Sequence, residues 1–239
     1  LRCAGMSTSS ARHGSARRPP AAPRIGKAAL APAVLPDHDL EEEAEFARLE
    51  FANFDLSGRD AVLVEFDRCR FVGTTFNGTR CDRTRWVDCR LDSCDLANLS
   101  AESSTLVRVE VSGSRATGVR WRSGVLRDVV ISGCKLDLSA FHGTRFERVR
   151  FEGCNLTQAD FMDADLTGGV EIVDCDLTRA RFSQARMAGA VLTRCVLDGI
   201  QGVTSLRGAV IDPTDLVSLS YALAQALGIV IATDDGATR

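Results

Sequence analysis

Histidine is scarce in this chain, with three residues among 239, and none is placed for catalysis. His13 and His38 precede the repetitive part described below, and His142 takes an outward position beside Phe141. No histidine neighbours a cysteine expected outside the core, so the thiol–imidazole pair of a cysteine nucleophile is missing. No Gly-rich phosphate loop occurs. No CxxC is matched by a second one, which removes the common zinc frameworks. No apolar run reaches the ~20 residues that a membrane helix needs. Charge of one sign is lacking too. The 29 Lys and Arg against 32 Asp and Glu leave −3, which disfavours a uniformly acidic or a nucleic-acid-binding body.

Both ordinary hydrophobic periods are also absent from most of the chain. A helix repeats apolar positions at three and four, and a strand at two. Here the interval is five. It runs Phe46, Phe51, Leu56, Ala61, Phe66, Phe71, Phe76, Cys81, Trp86, Leu91, Leu96 and Ala101, then Leu106, Val111, Ala116, Trp121, Leu126, Ile131 and Leu136. It continues through Phe141, Phe146, Phe151, Leu156, Phe161 and Leu166, slips by one residue, and resumes at Ile172, Leu177, Phe182, Met187, Leu192 and Leu197. Two residues before most of these stands a compact side chain, such as Cys69, Thr74, Thr79, Thr84, Cys89, Cys94, Cys134, Ser139 or Thr144. Residues two apart on an extended backbone point to the same side, so each five-residue unit offers one large and one small inward group. The remaining positions carry the polar and turn-forming types of a wet surface.

Four such units close a square coil of about 20 residues, and side-chain identity supports that longer repeat. Phe46, Phe66 and Trp86 form one column at this spacing, and Trp121, Phe141 and Phe161 another. Like residues then stack on successive coils about 4.8 Å apart, giving an all-β rod roughly 37 Å long between Phe46 and Ile200. The expected core is Phe46, Phe66, Trp86, Trp121, Phe141, Phe146, Phe151, Leu156, Phe161 and Leu166. Seven of the nine cysteines occupy compact seats and Cys81 a large one. These read as reduced structural thiols, and hence as the mark of a cytoplasmic protein. Between Phe46 and Ile200 there are 22 acidic and 21 basic residues, so the rod is close to neutral.

The segments CNLTQADFMDADL (154–166) and CDLTRARFSQARM (175–187) resemble the pentapeptide-repeat family, and the likeness covers about two thirds of the chain. The resemblance implies a right-handed quadrilateral parallel β-helix. It specifies the fold far more sharply than the function.

Four regions are expected along the chain. Residues 1–36, rich in Ser, Ala, Arg and Pro, read as a disordered basic tail, with Met6 a candidate initiator behind Leu1. The start is Arg-rich like a targeting peptide but lacks an uninterrupted apolar segment. Residues 37–45 read as an acidic N-terminal cap, either a short helix begun by Asp39 and Glu42 or an irregular lead-in. The repeat body spans 46–211. Its pattern is degenerate between Leu99 and Ile131, where large and small seats are exchanged at Leu99 and Ala101 and Gly124 holds a compact seat. Narrowing, a bend or a binding site are the readings there. Gly168 and Gly169 mark the slip as a bulge.

Residues 212–239 read as a capping or dimerisation helix with a tail. Asp212 before Pro213 is a helix start and Gly228 a stop. Leu216, Leu219, Leu223 and Leu227, with Ala222 and Ala226, make the apolar stripe, and Ile229 to Ile231 add surplus hydrophobic surface suited to a homodimer.

Asp160 and Asp165 read as repeating outer residues and not as a catalytic carboxylate pair. No catalytic, cofactor-binding or metal-binding residue is therefore assigned. The expectation is a noncatalytic scaffold without cofactor, small-molecule substrate or membrane, acting through rigid outer faces on a protein partner. The family resemblance adds a candidate. Some members that confer quinolone resistance or protect producers of topoisomerase poisons are similar to B-form DNA in width and charge. They engage bacterial DNA gyrase or topoisomerase IV, often as dimers through C-terminal helices. The alternative is a scaffold for an unrelated protein, or a structural role.

Overall fold

A computed structural model describes residues 18–26 and 30–230. The chain winds into a parallel β-solenoid of about nine turns, closed by one C-terminal helix. Its strands are β1 (Ala31–Pro32), β2 (Glu45–Ala47), β3 (Leu49–Ala52), β4 (Glu65–Asp67), β5 (Arg70–Val72), β6 (Arg85–Val87) and β7 (Arg90–Asp92). Then follow β8 (Thr105–Ser112), β9 (Val125–Ser132), β10 (Arg145–Glu152), β11 (Asp165–Val173), β12 (Val191–Thr193) and β13 (Val210–Ile211). Every pairing is parallel and most are offset by 20 residues: Phe46 beside Phe66, Phe66 beside Trp86, and Trp86 beside Leu106. The period of twenty is thus the backbone hydrogen-bond register itself.

The four faces differ. Two carry genuine strands, one through β2, β4 and β6, the next through β3, β5 and β7. From β8 to β11 a single strand spans both. The other two faces are held by one bridge per coil, as in Asp55–Thr75–Asp95–Arg115–Lys135–Asn155 and Asp60–Arg80–Ser100–Arg120–Ala140–Asp160. Corners are turned by a residue in the left-handed region two places after each large side chain. Glycine fills some of these, but Arg48, Arg68, Asp88, Arg108, Asp128 and Arg148 form one whole column with φ between 53° and 57°.

The interior is one apolar column. Phe46, Phe66, Trp86, Phe141, Phe146, Phe151, Leu156, Phe161 and Leu166 are all buried in it. Rings stack between coils, with Phe51 and Phe71 4.8 Å apart and Phe141 and Phe161 5.1 Å apart. Trp121 differs from expectation. It is only partly buried against the core, while Leu99 and Val119 fill the compact seats of its face. The indole Nε1 is itself buried, and a Cβ on Gly124 would meet it at 2.7 Å.

Compact seats do more than save space. Thr79 Oγ1 donates to the Leu56 carbonyl at 2.7 Å, Thr74 Oγ1 to Phe51 at 2.9 Å, and Cys89 Sγ to Phe66 at 3.4 Å. Each small donor thereby reaches a carbonyl of the coil before it.

The slip behaves as a bulge within β11: Arg145 pairs with Asp165 but Glu147 with Gly168. A Cβ on Gly168 would sit 2.3 Å from the Phe146 carbonyl oxygen, which is why that position is glycine.

The ends depart further from expectation. Residues 37–44 form turns and no helix, the irregular one of the two expected lead-ins, and Glu45 opens β2. Asp39 accepts from the Leu40 amide at 2.9 Å and pairs with Arg59 at 2.9 Å, while Leu40 closes the first coil. Nor are all of residues 1–36 a loose tail. Ala31 and Pro32 extend the sheet beside Leu49 and Glu50, and Arg18–Gly26 lies along the rod. The rest of the expected tail, residues 1–17 and 27–29, falls outside the described residues.

At the other end Asp212 accepts from the Thr214 amide at 3.0 Å and opens a 3-10 turn, Pro213–Asp215, so the α-helix α1 starts only at Leu216 and runs to Ala226. Asp215 terminates the compact column by accepting from the Cys195 amide at 2.9 Å.

Candidate protein-interaction surface

Nothing inside the rod is open to a substrate. A small void of about 60 Å³ there is lined by Trp86, Leu106, Ala116, Trp121, Leu126 and Phe141 among other apolar groups. That is well below the roughly 300–1,000 Å³ of a ligand pocket, and an apolar lining keeps such a space dry. It coincides with the degenerate stretch, where leucine and alanine replace the aromatic stacks of the two ends. The interruption of the pattern thus coincides with looser packing of the core.

The outer faces are ruled by ion pairs between successive coils. Arg80 meets Asp60 at 2.5 Å, Arg90 meets Glu110 at 3.0 Å, Arg127 meets Glu147 at 2.6 Å, and Arg194 meets Asp174 at 2.6 Å. These groups stand twenty residues apart, so the sheet register fixes their partners. Exposed pairs of this kind add little to stability. Their greater effect is on the field: a carboxylate on one coil is matched by a guanidinium on the next, and these ladders form no continuous acidic run.

One depression of about 390 Å³ opens on the face of His142, bordered by Arg122, Gln158, Asp160, Arg179 and Arg181. His142 Nε2 lies 2.7 Å from Asp160 Oδ2, and Asp160 also pairs with Arg181. An imidazole–carboxylate dyad needs a nucleophile to do chemistry. Ser139, the hydroxyl in that lining, occupies a buried compact seat. Asp165 binds Arg186 at 2.7 Å on another part of the surface. Among the described residues no three His, Cys, Asp or Glu side chains form a metal-binding group.

Eight cysteines are buried and unpaired among the described residues. Burial pushes the Cys69 and Cys94 thiols up to about 11, and Cys81 and Cys89 further. Those four are packing groups, far from the reactive thiolate range, while hydrogen bonds from Cys134 and Cys175 draw the Cys154 thiol down.

The helix gives the surface its apolar end. Leu219 and Ala222 pack onto the last coil. Leu216, Leu223 and Leu227, expected to share that contact, remain exposed, together with Val217, Tyr221, Ile229 and Val230. One narrow edge of α1 suffices for capping, so most of the stripe faces outward. No described helix is long and apolar enough to cross a membrane.

Residues 125–175 and 151–196 match the family model for pentapeptide repeats, nine copies. Among solved structures, a trypsin-treated variant of QnrB1, a plasmid-mediated fluoroquinolone resistance protein, is 22% identical over 85% of this chain and 96% of its own, with a TM-score of 0.37. HetL, a pentapeptide repeat protein involved in heterocyst differentiation regulation from the cyanobacterium Nostoc sp. Strain PCC 7120, is 16% identical over 73% of this chain and 92% of its own, with a TM-score of 0.28. No curated protein matches the sequence.

Proposed function

We propose, on the pentapeptide-repeat match of residues 125–196 and the solenoid fold, that this chain is a noncatalytic scaffold whose outer faces bind a protein partner. The observation that carries this reading is the division of labour between a filled apolar interior and a rigid, charge-laddered exterior. A surface already ordered before binding loses little conformational entropy when it docks. The buried, unpaired thiols support a reducing, cytoplasmic setting.

The exposed apolar side of α1 favours a homodimer through the C-terminal helix. A type II topoisomerase partner, engaged by DNA mimicry and conferring protection from topoisomerase poisons, is the finer reading that the family resemblance suggests. The cross-coil ion pairs weigh against it, since phosphate mimicry asks for carboxylates free of such partners.

Photo-crosslinking residues placed singly at Thr105, Val130, Thr75 and Arg120, one per face, test the scaffold. Capture of a single protein from one face is expected, and capture from none contradicts the reading. A gyrase supercoiling assay with and without a fluoroquinolone tests the finer one. Inhibition or protection at micromolar protein supports it, and no effect in either arm removes it. Sedimentation of Tyr221→Asp and Leu227→Asp tests the dimer, with a shift from dimer to monomer expected.

A further inference from the structure

The corner column Arg48, Arg68, Asp88, Arg108, Asp128, Arg148 carries a carboxylate on two alternate coils. Asp88 and Asp128 are separated by two coils, because Val87 pairs with Val107 and Val107 with Arg127. That places them about 9.6 Å apart along the rod. Each is gripped by the arginine of the following coil through both carboxylate oxygens: Arg108 on Asp88 at 2.6 and 2.7 Å, Arg148 on Asp128 at 2.7 and 2.8 Å. So fixed, each carboxylate accepts one further bond. The Ala21 amide donates to Asp128 Oδ1 at 3.1 Å, and the Arg24 amide to Asp88 Oδ1 at 2.8 Å.

The two donors are three residues apart. Three residues of polyproline II advance about 9.3 Å, which matches two coils of the solenoid. Pro19, Pro20 and Pro23 hold the segment near that conformation, and each proline extends the constraint to the residue before it. Pro23, between the two anchor points, is buried, and both aspartates are buried although they stand at outer corners. Arg18 and Arg24 add attraction to Asp128 and Asp88 respectively. Later in the chain the Ala31 amide donates to the Arg48 carbonyl of the same column at 3.1 Å.

We propose that the Asp88–Asp128 corner is a binding site for a basic polyproline-II segment of the form Pro-x-x-Pro-Arg, occupied in this protein by its own residues Pro20–Arg24. Recognition works by period: an acceptor every second coil meets an amide every third residue. The site is independent of the partner reading above, since its occupant is a segment of this chain. A tethered occupant has an effective concentration near the millimolar range, so a free peptide of the same chemistry competes poorly until the tethered one is weakened.

The test titrates a fluorescent peptide of residues 18–26 into three full-length proteins: the wild type, Pro20→Gly/Pro23→Gly, and that variant with Asp88→Ala/Asp128→Ala. The proline variant is expected to bind at least tenfold tighter than wild type, and the added aspartate changes to abolish the gain. Failure of the peptide to bind the proline variant, or equal binding without the aspartates, overturns the proposal. Amide exchange of the wild type supplies a readout independent of variant folding. Slow exchange at Ala21 and Arg24 is expected, and rapid exchange at both contradicts the site.

Discussion

Phe161 and Phe182 stack with centroids 5.2 Å apart and planes within 5°. They are 21 residues apart, one more than a coil, so the bulge in β11 has absorbed the extra residue before the next ring is placed. Two buried phenylalanines in contact across the irregular coil should be energetically sensitive. Phe161→Ala is expected to destabilise the rod by about 3–5 kcal/mol in urea denaturation, by lost transfer energy and the cavity left behind.

The bulge itself depends on Gly168. Its φ is unexceptional, and the constraint is the Phe146 carbonyl oxygen 2.3 Å from any added Cβ. Gly168→Ala should therefore cost about 1–3 kcal/mol through forced backbone movement. Gly26→Ala, with nothing within 4 Å, should stay within about 0.5 kcal/mol. Thermal or urea melts of the two variants give the comparison.

Thiol chemistry gives a third check. Of nine cysteines, eight are buried in the described body, leaving at most one (9 − 8) for a thiol reagent in the folded protein. At pH 8 the eight buried thiols should remain silent for hours because the packed interior keeps the reagent out, and burial adds to this by holding Cys69 and Cys94 at about 11. All nine should react in denaturant.

The two arginine-gripped aspartates make stability depend on pH in a definite direction. For Asp88, burial is the largest influence and opposes ionisation, but Arg108 and the Arg24 amide outweigh it and hold the carboxyl low. Asp128 is held low by Arg148, against burial, with help from the Ala21 amide and Arg18. A native pKa below the unfolded value of about 3.9 means stabilisation fully present above that value and lost as pH falls through the native one. The urea midpoint should be flat from pH 5 to 8 and drop below about pH 4. Asp88→Asn/Asp128→Asn should reduce that drop.

The body was legible because one interval governs it. A five-residue spacing of Phe, Leu and Trp can satisfy neither helix nor simple strand, so the coil follows from the side chains alone. The bulge was legible for the same reason, as a break in a regular count. The partial exposure of Trp121 was not legible, since it takes the same kind of seat in the count of five as the buried Trp86. The compact seats read as small; that Thr74, Thr79 and Cys89 also satisfy carbonyls of the preceding coil becomes visible only with the coil closed. Residues 18–24 carry almost nothing that a core-seeking period can detect, since their fit is to a backbone spacing on the outside. The C-terminal leucines follow a helical stripe, and a stripe does not say how much of itself the last coil will cover.

The most direct test of the account is a ruler along one face. Asp55, Arg115, Lys135 and Asn155 lie on a single bridge ladder and are exposed. Nitroxide labels at Asp55→Cys paired in turn with Arg115→Cys, Lys135→Cys and Asn155→Cys, read by pulsed electron resonance, should give backbone separations near 14, 19 and 24 Å, an increment of about 4.8 Å per twenty residues. Separations that fail to grow by a constant step, or that grow out of order, would contradict the single stacked interior on which the fold and the scaffold reading both stand.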